Sequence, residues 1–168
     1  ELRAASLSVE TSDPAEPASP PPDDLTLPLA VSARRIAIDA LRWNGGPPVT
    51  SLAARLESDG RRHAVEDLTL HAGDVAATGG LTLDGRAPLP LEARAEVRGQ
   101  VAERPLALAL DARGALARIE LSIRALQGVD GEARATLTPF AALPFSAAEA
   151  DLRNIDPADW LAGAPRAP

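Results

Sequence analysis

Apolar and polar residues alternate with a period of two along most of the chain from Leu25 onward. This period is typical of a β-strand with one buried face, because successive side chains point to opposite sides of a sheet. The alternation runs through "LTLPLAV" and then through "RIAIDALRW", where its phase shifts by one residue between Ile38 and Leu41. Such a shift predicts a β-bulge at this point.

Two Asp-Gly dipeptides separate runs that resemble strands. Asp59-Gly60 lies within "VTSLAARLESDGRRHAVEDLTLHAG", and Asp84-Gly85 lies within "VAATGGLTLDGRAPLPLEARAEVRG". Asp-Gly favours a hairpin turn because glycine adopts positive φ without steric cost. The sequence therefore predicts two hairpins, although "SLAARLESD" also has a helix-like composition and leaves a helix open as the alternative there.

Part of the second hairpin recurs later in the chain. "GGLTLDGRAPLPLEARAEV" matches "ARATLTPFAALPFSAAEADL" at a constant offset of 54 residues, as from Leu83 to Leu137 and from Leu89 to Leu143. A repeat at a fixed offset indicates that one structural unit occurs more than once.

The pattern Leu-Pro followed by Leu or Phe occurs three times, at Pro28, Pro90 and Pro144, and each time it opens an alternating stretch. Proline cannot donate a hydrogen bond to a ladder, so it belongs at the first residues of a strand or on an edge strand. Three strands are therefore expected to begin in the same way.

The chain divides into three stretches of different composition. Residues 1–10, "ELRAASLSVE", predict a leading strand. Residues 11–24, "TSDPAEPASPPPDD", predict a loop or linker, because this composition neither pairs in a sheet nor buries apolar surface. Residues 25–168 are expected to form one β-rich groove domain that contains the repeat. Within it, "DPADWL" predicts a short helix with Asp156 as its N-cap.

Composition and charge exclude several classes of protein. Apolar residues make up 45% of the chain but aromatic residues only 2%, so thin leucine-lined layers are expected rather than a thick core. The formal net charge of −7 argues against a nucleic-acid partner and against electrostatic attachment to an anionic membrane. Without cysteine the chain forms no disulfide and no thiolate metal site. No apolar run approaches the roughly 20 residues of a membrane-spanning helix, and we expect the chain to be a segment of a longer protein.

No residue pattern predicts catalysis. His63 and His71 are expected on adjacent strands at the surface, and Asp67 and Asp74 nearby do not complete a metal-ligand spacing. Carboxylates alternate with arginine, as in "LEARAEVR", which is typical of a solvated face rather than of an acid pair with separated pKa values. The serines lack a nucleophile elbow, and "GGP" and "TGG" are turn glycines rather than phosphate-binding loops. We therefore expect no enzyme activity, no catalytic or metal site and no cofactor.

The apolar residues of the alternating stretches are the candidate functional residues. Their face must be covered, either in a closed sandwich or barrel or in a curved sheet that keeps an open leucine-lined groove. The repeat and the scarcity of aromatic residues favour the groove, in which a lipid acyl chain would gain about 0.8 kcal/mol per buried methylene. The candidate lipid-groove residues are Leu27, Leu29, Ile36, Ile38, Leu81, Leu83, Leu89, Leu91, Val97, Leu106, Leu108, Leu110, Ile119, Leu121, Ile123, Leu137 and Phe145.

The order of three stretches resembles one known family. "LPLAVSARRIAIDALRW", then "ATGGLTLDGRAPLPLEARAEV", then "LRNIDPADWLAGAPRAP" is similar to the TamB family of Gram-negative bacteria, which is related to AsmA-like proteins. In that family, segments of the form "l.a.G.l.ldgraplpL.a" recur before a "DPa" motif. The matching residues run from Gly79 to Ala93 and continue with Asp156-Pro157. The resemblance extends from Leu25 to the end, and we expect an internal or C-terminal-region segment.

The resemblance implies an all-β fold in which repeating hairpins form a folded, taco-like or solenoid β-sheet with an apolar inner groove. It implies a periplasmic protein anchored to the inner membrane by an N-terminal helix outside this segment. It also implies phospholipid acyl chains and a TamA-like outer-membrane barrel protein as partners, with roles in phospholipid transport between the membranes and in outer-membrane protein assembly. It supplies no catalytic residues.

Two alternatives remain open at this stage. One is a scaffold or chaperone that offers exposed strand edges, marked by its prolines, to outer-membrane protein strands by β-augmentation without binding lipid. The other is a plain β-sandwich adhesion module, which would bind neither lipid nor strands.

Overall fold

The computed structural model describes residues 2–9, 20–43, 48–101, 103–141 and 143–153. Within these ranges the chain forms twelve β-strands and no helix, so the predicted all-β class is confirmed. No described helix is long and apolar enough to cross a membrane. The strands are β1 Leu2–Ala4, β2 Leu7–Val9, β3 Val31–Ile38, β4 Leu41–Trp43, β5 Ser51–Ser58, β6 Arg62–Ala72, β7 Val75–Asp84, β8 Pro90–Val101, β9 Arg104–Ala115, β10 Arg118–Gln127, β11 Asp130–Leu137 and β12 Phe145–Arg153.

Ten of these strands form one open sheet in the order β1-β3-β5-β6-β7-β8-β9-β10-β11-β12. From β3 to β12 every neighbouring pair is antiparallel, whereas β1 pairs with β3 in parallel. The short strands β2 and β4 form a separate parallel pair. The first and last strands of the large sheet, β1 and β12, do not pair with each other, so the sheet does not close into a barrel. The predicted series of hairpins is confirmed.

The pairing register puts alternate residues of every strand on one common face. Residues that are directly opposite in a ladder point to the same side of the sheet. One complete row from β3 to β12 consists of Ala33, Leu56, Val65, Leu81, Ala93, Ala112, Leu121, Ala135 and Ala148. We call this side the apolar face. With a strand spacing of about 4.8 Å, the nine strands give it a length of about 38 Å.

The opposite side of the sheet carries the charges, and we call it the polar face. One of its rows runs from Gly80 through Arg94, Asp111, Ser122 and Arg134 to Glu149. Arg94 and Asp111 are directly opposite and form a salt bridge of 3.2 Å. The alternation of carboxylates with arginine in the sequence therefore corresponds to a solvated face, as predicted.

Two β-bulges keep charged residues off the apolar face. In β3 the register shifts between Ala33 and Ile36, and in β6 it shifts between Val65 and Leu68. Each interval holds two charged residues instead of one residue. They are Arg34 and Arg35 in β3 and Glu66 and Asp67 in β6, and all four side chains are exposed. A strict period of two would turn one residue of each pair inward, and the extra residue of a bulge avoids this.

The bulge predicted between Ile38 and Leu41 is wrong. The strand β3 ends at Ile38, and Leu41 opens β4, which pairs with β2 in the separate small sheet. The phase shift in the sequence therefore marks a change of sheet rather than a bulge within one strand.

The two Asp-Gly hairpins are confirmed, and the helix alternative for "SLAARLESD" is wrong because that stretch contains β5. Gly60 has a φ of 97°, and the side chain of Asp59 accepts hydrogen bonds from the backbone of both arginines that follow. The repeat at an offset of 54 residues places the β7–β8 hairpin on the β11–β12 hairpin. The structural unit of the repeat is therefore a hairpin, recurring after four strands.

The expected strand at "LTLPLAV" does not form, because the first ladder residue is Val31. Pro90 is the first residue of β8 and Pro144 directly precedes β12, so two of the three prolines stand where a strand begins. Pro28 instead lies in an irregular segment before β3.

Most of the proline-rich stretch and the helix predicted at Asp156 lie outside the described residues. Residues 2–9, where a leading strand is expected, contain β1 and β2. The division of the chain at residues 10 and 24 stays a prediction.

Candidate functional site

Fourteen of the seventeen candidate residues lie on the apolar face. They belong to seven strands, β3 and β7 to β12, and the residues of β7 to β12 follow one another across neighbouring strands. The fourteen are Ile36, Ile38, Leu81, Leu83, Leu91, Val97, Leu106, Leu108, Leu110, Ile119, Leu121, Ile123, Leu137 and Phe145.

The structure places three of the candidates elsewhere. Leu27 and Leu29 lie in the segment before β3 and are 44% and 63% exposed. Leu89 lies in the β7–β8 loop and is buried, with 2% of its surface exposed. These three do not extend the rows of the apolar face. Phe145, at the start of β12, lies opposite Leu137 next to a register irregularity, so it ends one row of the apolar face and is 61% exposed there.

The apolar face is half-open to solvent. Among the described residues, the large apolar side chains less than a tenth exposed are Val49, Leu89 and Ile119. Most leucines of the face are only half-buried, including Leu81, Leu83 and Leu121. A second sheet packed on this face, as in a closed sandwich, would enclose such residues in a core. The described residues therefore form an open apolar surface rather than a sandwich core.

An irregular segment, residues 24–29, crosses one end of the strands, and we call it the strap. Its backbone bonds to two hairpin loops: Leu25 N–H donates to the Gly85 carbonyl, and Leu27 N–H donates to the Gly60 carbonyl, both at 2.7 Å. A Cβ at Gly85 would lie 3.0 Å from the strap nitrogen of Thr26. Glycine at this position therefore allows the strap to approach the loop closely.

His63 holds the strap from the sheet side. Its Nε2 lies 3.0 Å from the carbonyl oxygen of Leu25, and its Nδ1 lies 2.8 Å from Oγ of Ser58. In the neutral tautomer Nε2–H donates to the carbonyl and Nδ1 accepts from the hydroxyl. The expectation of two surface histidines on adjacent strands is wrong, because both lie on β6 and His63 is half-buried. Only His71 is exposed.

Ionised carboxylates surround the same hairpin loops. A hydrogen bond from the Arg61 guanidinium lowers the pKa of Asp84, and the backbone N–H groups of Arg62 and Arg61 lower the pKa of Asp59. Hydrogen bonds from Thr26 lower the pKa of Asp24 at the start of the strap. Asp24 also forms an isolated bridge to Arg86 of the β7–β8 loop. Asp24, Asp59 and Asp84 therefore keep their negative charge at neutral pH.

Replacing His63 by alanine is expected to loosen the strap. The change removes one hydrogen bond to Leu25 and leaves Ser58 without its imidazole partner, which costs about 1–2 kcal/mol. Hydrogen exchange should become faster at the Leu25 and Leu27 amides, and the denaturation midpoint should fall. His71→Ala, on the same strand but exposed, is the matched control and should change stability by less than about 0.5 kcal/mol. Equal effects of the two substitutions would contradict this role of His63.

Sequence reasoning missed part of the apolar face on β5 and β6. Leu52, Leu56, Val65, Leu68 and Leu70 all join its rows. The signal was present in β5, where alternate residues are apolar, but the bulge of β6 breaks the period. Alanines on β8, β9, β11 and β12 complete the rows between the larger residues.

The polar face has a depression of about 520 Å³ above the adjacent glycines Gly79 and Gly80. Arg55 lines it and contacts both acids of the β6 bulge, at 3.7 Å from Glu66 and 3.5 Å from Asp67. The described residues contain no group of three or more His, Asp or Glu side chains placed to hold a metal ion.

Comparison with known proteins identifies the family. The family model described as TamB, N-terminal domain, matches residues 4–152, which includes every strand of the sheet from β3 to β11 and most of β12. The chain belongs to the TamB family. TamB proteins are envelope proteins of Gram-negative bacteria and act in the translocation and assembly module, so this TamB domain has a role in that envelope system. No curated protein and no solved structure matches the chain. The expected internal or C-terminal position of the segment is not confirmed, since the matching model is that of an N-terminal domain.

Proposed function

We propose that the apolar face of this TamB domain shelters phospholipid acyl chains while they cross the aqueous space between the inner and outer membranes. The observation that carries the proposal is one uninterrupted apolar row across nine strands, half-open to solvent in the part of the chain that the structure describes. The domain then works as a non-enzymatic binding surface, without metal or cofactor.

The size of the apolar face supports this function. Its length of about 38 Å exceeds the roughly 30 Å of a whole bilayer hydrocarbon core, so a complete acyl chain fits along it. Each methylene removed from water contributes about 0.8 kcal/mol, which makes even a partly covered chain stable on the surface. Because the face is open along its length, the acyl chain can move along a row from strand to strand without leaving the face.

The chemistry of the face supports the same function. Charged residues are diverted to the polar face by the two bulges, so an acyl chain meets no unpaired charge along the rows. The polar side chains Ser58 and His63 face the same side as Leu83, but they are hydrogen-bonded to each other. Covering hydrogen-bonded polar groups with hydrocarbon costs far less free energy than covering polar groups without a partner.

The cellular setting is part of the proposal and is supported by family membership. We place the domain in the periplasm, within a longer protein anchored to the inner membrane, where it supplies phospholipid and supports outer-membrane protein assembly with a TamA-like barrel protein as partner.

Site-specific photo-crosslinking in living Gram-negative cells tests the proposal. A photoreactive amino acid at Leu121, on the apolar face, is expected to give a phospholipid adduct that mass spectrometry detects on that peptide. The same amino acid at Ser122, the next residue on β10 but on the polar face, should give none. Adducts of equal yield at both positions, or at neither, would count against a lipid-binding apolar face.

A second candidate is the scaffold that pairs with extended strands of outer-membrane proteins, and the open edge at β12 favours it. The prolines follow this expectation only in part, since Pro144 directly precedes the edge strand β12 but Pro90 begins an interior strand of the sheet. Bound lipid distinguishes the first candidate, and binding of strand peptides distinguishes the second.

A further inference from the structure

The two edges of the large sheet are built differently. At one edge β1 has three residues and covers β3 only from Ile36 to Ile38. At the other edge β12 has nine residues, all of them exposed, and no described strand lies beyond it. The sheet is therefore short at one edge and long and open at the other.

The β12 edge lacks most of the features that protect open edges. Natural sheets block such edges with proline, charged side chains (especially lysine), inward-pointing charges, bulges or very short strands. From residue 145 to 153 the sequence "FSAAEADLR" contains neither proline nor lysine, its register irregularity lies at its first residues, and its charged residues all lie on the polar face. Leu152 is 55% exposed at the far end of the strand. The edge is therefore competent to pair with another strand.

The charges of β12 indicate what that strand carries. On the polar face, cross-strand rows reach β12 at Glu149, opposite Arg134, and at Asp151, opposite Glu132. Glu149 forms no salt bridge within the described residues, and the facing pair Glu132 and Asp151 has like charge, which destabilises a ladder.

The nearby arginines do not remove this excess of negative charge. Asp151 pairs with Arg153 of its own strand at 3.0 Å, and Arg134 lies 3.5 Å from Glu132. The pKa of Arg153 is raised by its hydrogen bond to Asp151 and by the charges of Asp130 and Glu132. On β11 and β12 together, four acids therefore lie beside two arginines, with Arg124 of β10 opposite Glu132. Basic side chains on a further strand, one opposite Glu149 and one opposite Asp151, would pair with the acids that end the two rows.

We propose that the β12 edge binds, in antiparallel pairing, an extended segment whose residues alternate between apolar and basic. Its apolar residues extend the apolar face beside Ala148 and Ala150, and its basic residues lie opposite Glu149 and Asp151. This inference rests on the scaffold candidate for the function and does not depend on lipid binding.

A second copy of this chain fits the edge less well than a basic strand. In antiparallel pairing of two β12 strands centred on Ala150, Glu149 of each copy would lie opposite Asp151 of the other, and in pairing centred on Asp151 the two Asp151 side chains would face each other; like charges directly opposite are destabilising. The other edge of a second copy offers only the three residues of β1. The favoured occupant is therefore a strand of different, basic chemistry.

Labelled nine-residue peptides test the proposal by fluorescence anisotropy with the full chain. A peptide alternating valine and lysine is expected to bind about tenfold more tightly than one alternating valine and glutamate, since two opposite-charge pairs replace two like-charge pairs. Glu149→Lys combined with Asp151→Lys should reverse this preference. Glu57→Lys with Glu96→Lys is the matched control, because it changes the net charge equally on interior strands of the polar face, opposite uncharged residues, and should keep the original preference.

Hydrogen exchange locates the bound peptide. Protection is expected on β12 amides and not on β1 or β3. The proposal would be overturned by peptides that bind without charge preference or by a preference that both double variants reverse. Protection away from β12 would also overturn it. Failure of this proposal can be distinguished from failure of lipid binding. The substitutions at positions 149 and 151 leave the apolar face unchanged, so the amount of co-purified phospholipid should be the same in this variant as in the unmodified protein.

Discussion

Replacing Leu83 and Leu121 together by aspartate is expected to abolish the phospholipid that co-purifies with the protein from a Gram-negative host. The two residues lie on the apolar face of β7 and β10 and are half-buried. A carboxylate there remains partly hydrated in the lipid-free protein, but an acyl chain covering it would remove that hydration at a cost of several kcal/mol. Lipid extraction followed by mass spectrometry measures the effect, and circular dichroism should still report a β-rich fold.

The matched control moves the same charges to the other face. Thr82→Asp with Ser122→Asp alters the neighbouring residues of the same two strands, on the polar face. This variant should retain lipid at the level of the unmodified protein. If both double variants lose lipid equally, net charge rather than the apolar face governs retention. If the Leu83 and Leu121 variant unfolds, those leucines belong to a closed core and the scaffold candidate gains support.

Leu89→Asp is expected to destabilise the fold by about 3–5 kcal/mol. Leu89 is 2% exposed, and a charge placed there has no partner from which to recover its lost hydration. Its backbone is fixed by two hydrogen bonds, from Leu89 N–H to the Arg86 carbonyl and from Leu116 N–H to the Leu89 carbonyl. Leu89 also has a φ of 59°, a conformation that aspartate adopts more readily than leucine. The substitution therefore lowers the backbone strain slightly, but the cost of burying the charge is larger and makes the net change destabilising. Urea denaturation measures the change.

The repeat supplies the control for this substitution. Leu143 occupies the equivalent position of the β11–β12 hairpin but is 75% exposed. Leu143→Asp should therefore change the free energy of unfolding by less than about 0.5 kcal/mol. Comparable losses at the two positions would contradict the difference in burial between the two hairpins.

The alternation of residues was sufficient to predict the strands of the regular hairpins and the identity of the apolar face. It worked for Leu81, Leu121 and their neighbours because β7 to β11 keep a period of two without interruption across the middle of each strand. It failed at β6, where the bulge between Val65 and Leu68 breaks the period. An extra residue in one strand is stabilised by cross-strand partners, such as Arg55 for Glu66, that a local pattern does not contain.

The strap shows a second limit of the pattern. Leu25, Leu27 and Leu29 alternate like a strand, but the first two bond to the loops at Gly85 and Gly60 instead of to a ladder. Any extended segment shows this period, and its partners are chosen by tertiary contacts. The same reasoning applies to His63. It lies two residues before Val65 and therefore on the apolar face, but its hydrogen-bond partners Ser58 and Leu25 belong to other segments of the chain.

The repeat also shows that equal sequence does not give equal burial. Leu89 and Leu143 occupy matching positions before a proline, and only the first is enclosed. Gly85 of the first hairpin admits the strap, whereas the matching position of the second hairpin is Pro139. The candidate site was therefore predictable on the interior strands and not at the hairpin loops.

Native mass spectrometry of the unmodified protein, purified without detergent from a Gram-negative host, tests whether the domain shelters lipid. We expect protein ions that carry phospholipid masses and release them on collisional activation, because the apolar face is long enough for complete acyl chains and is not enclosed among the described strands. A protein that is uniformly lipid-free, and that stays so after incubation with phospholipid vesicles, would contradict a lipid-sheltering role for this domain.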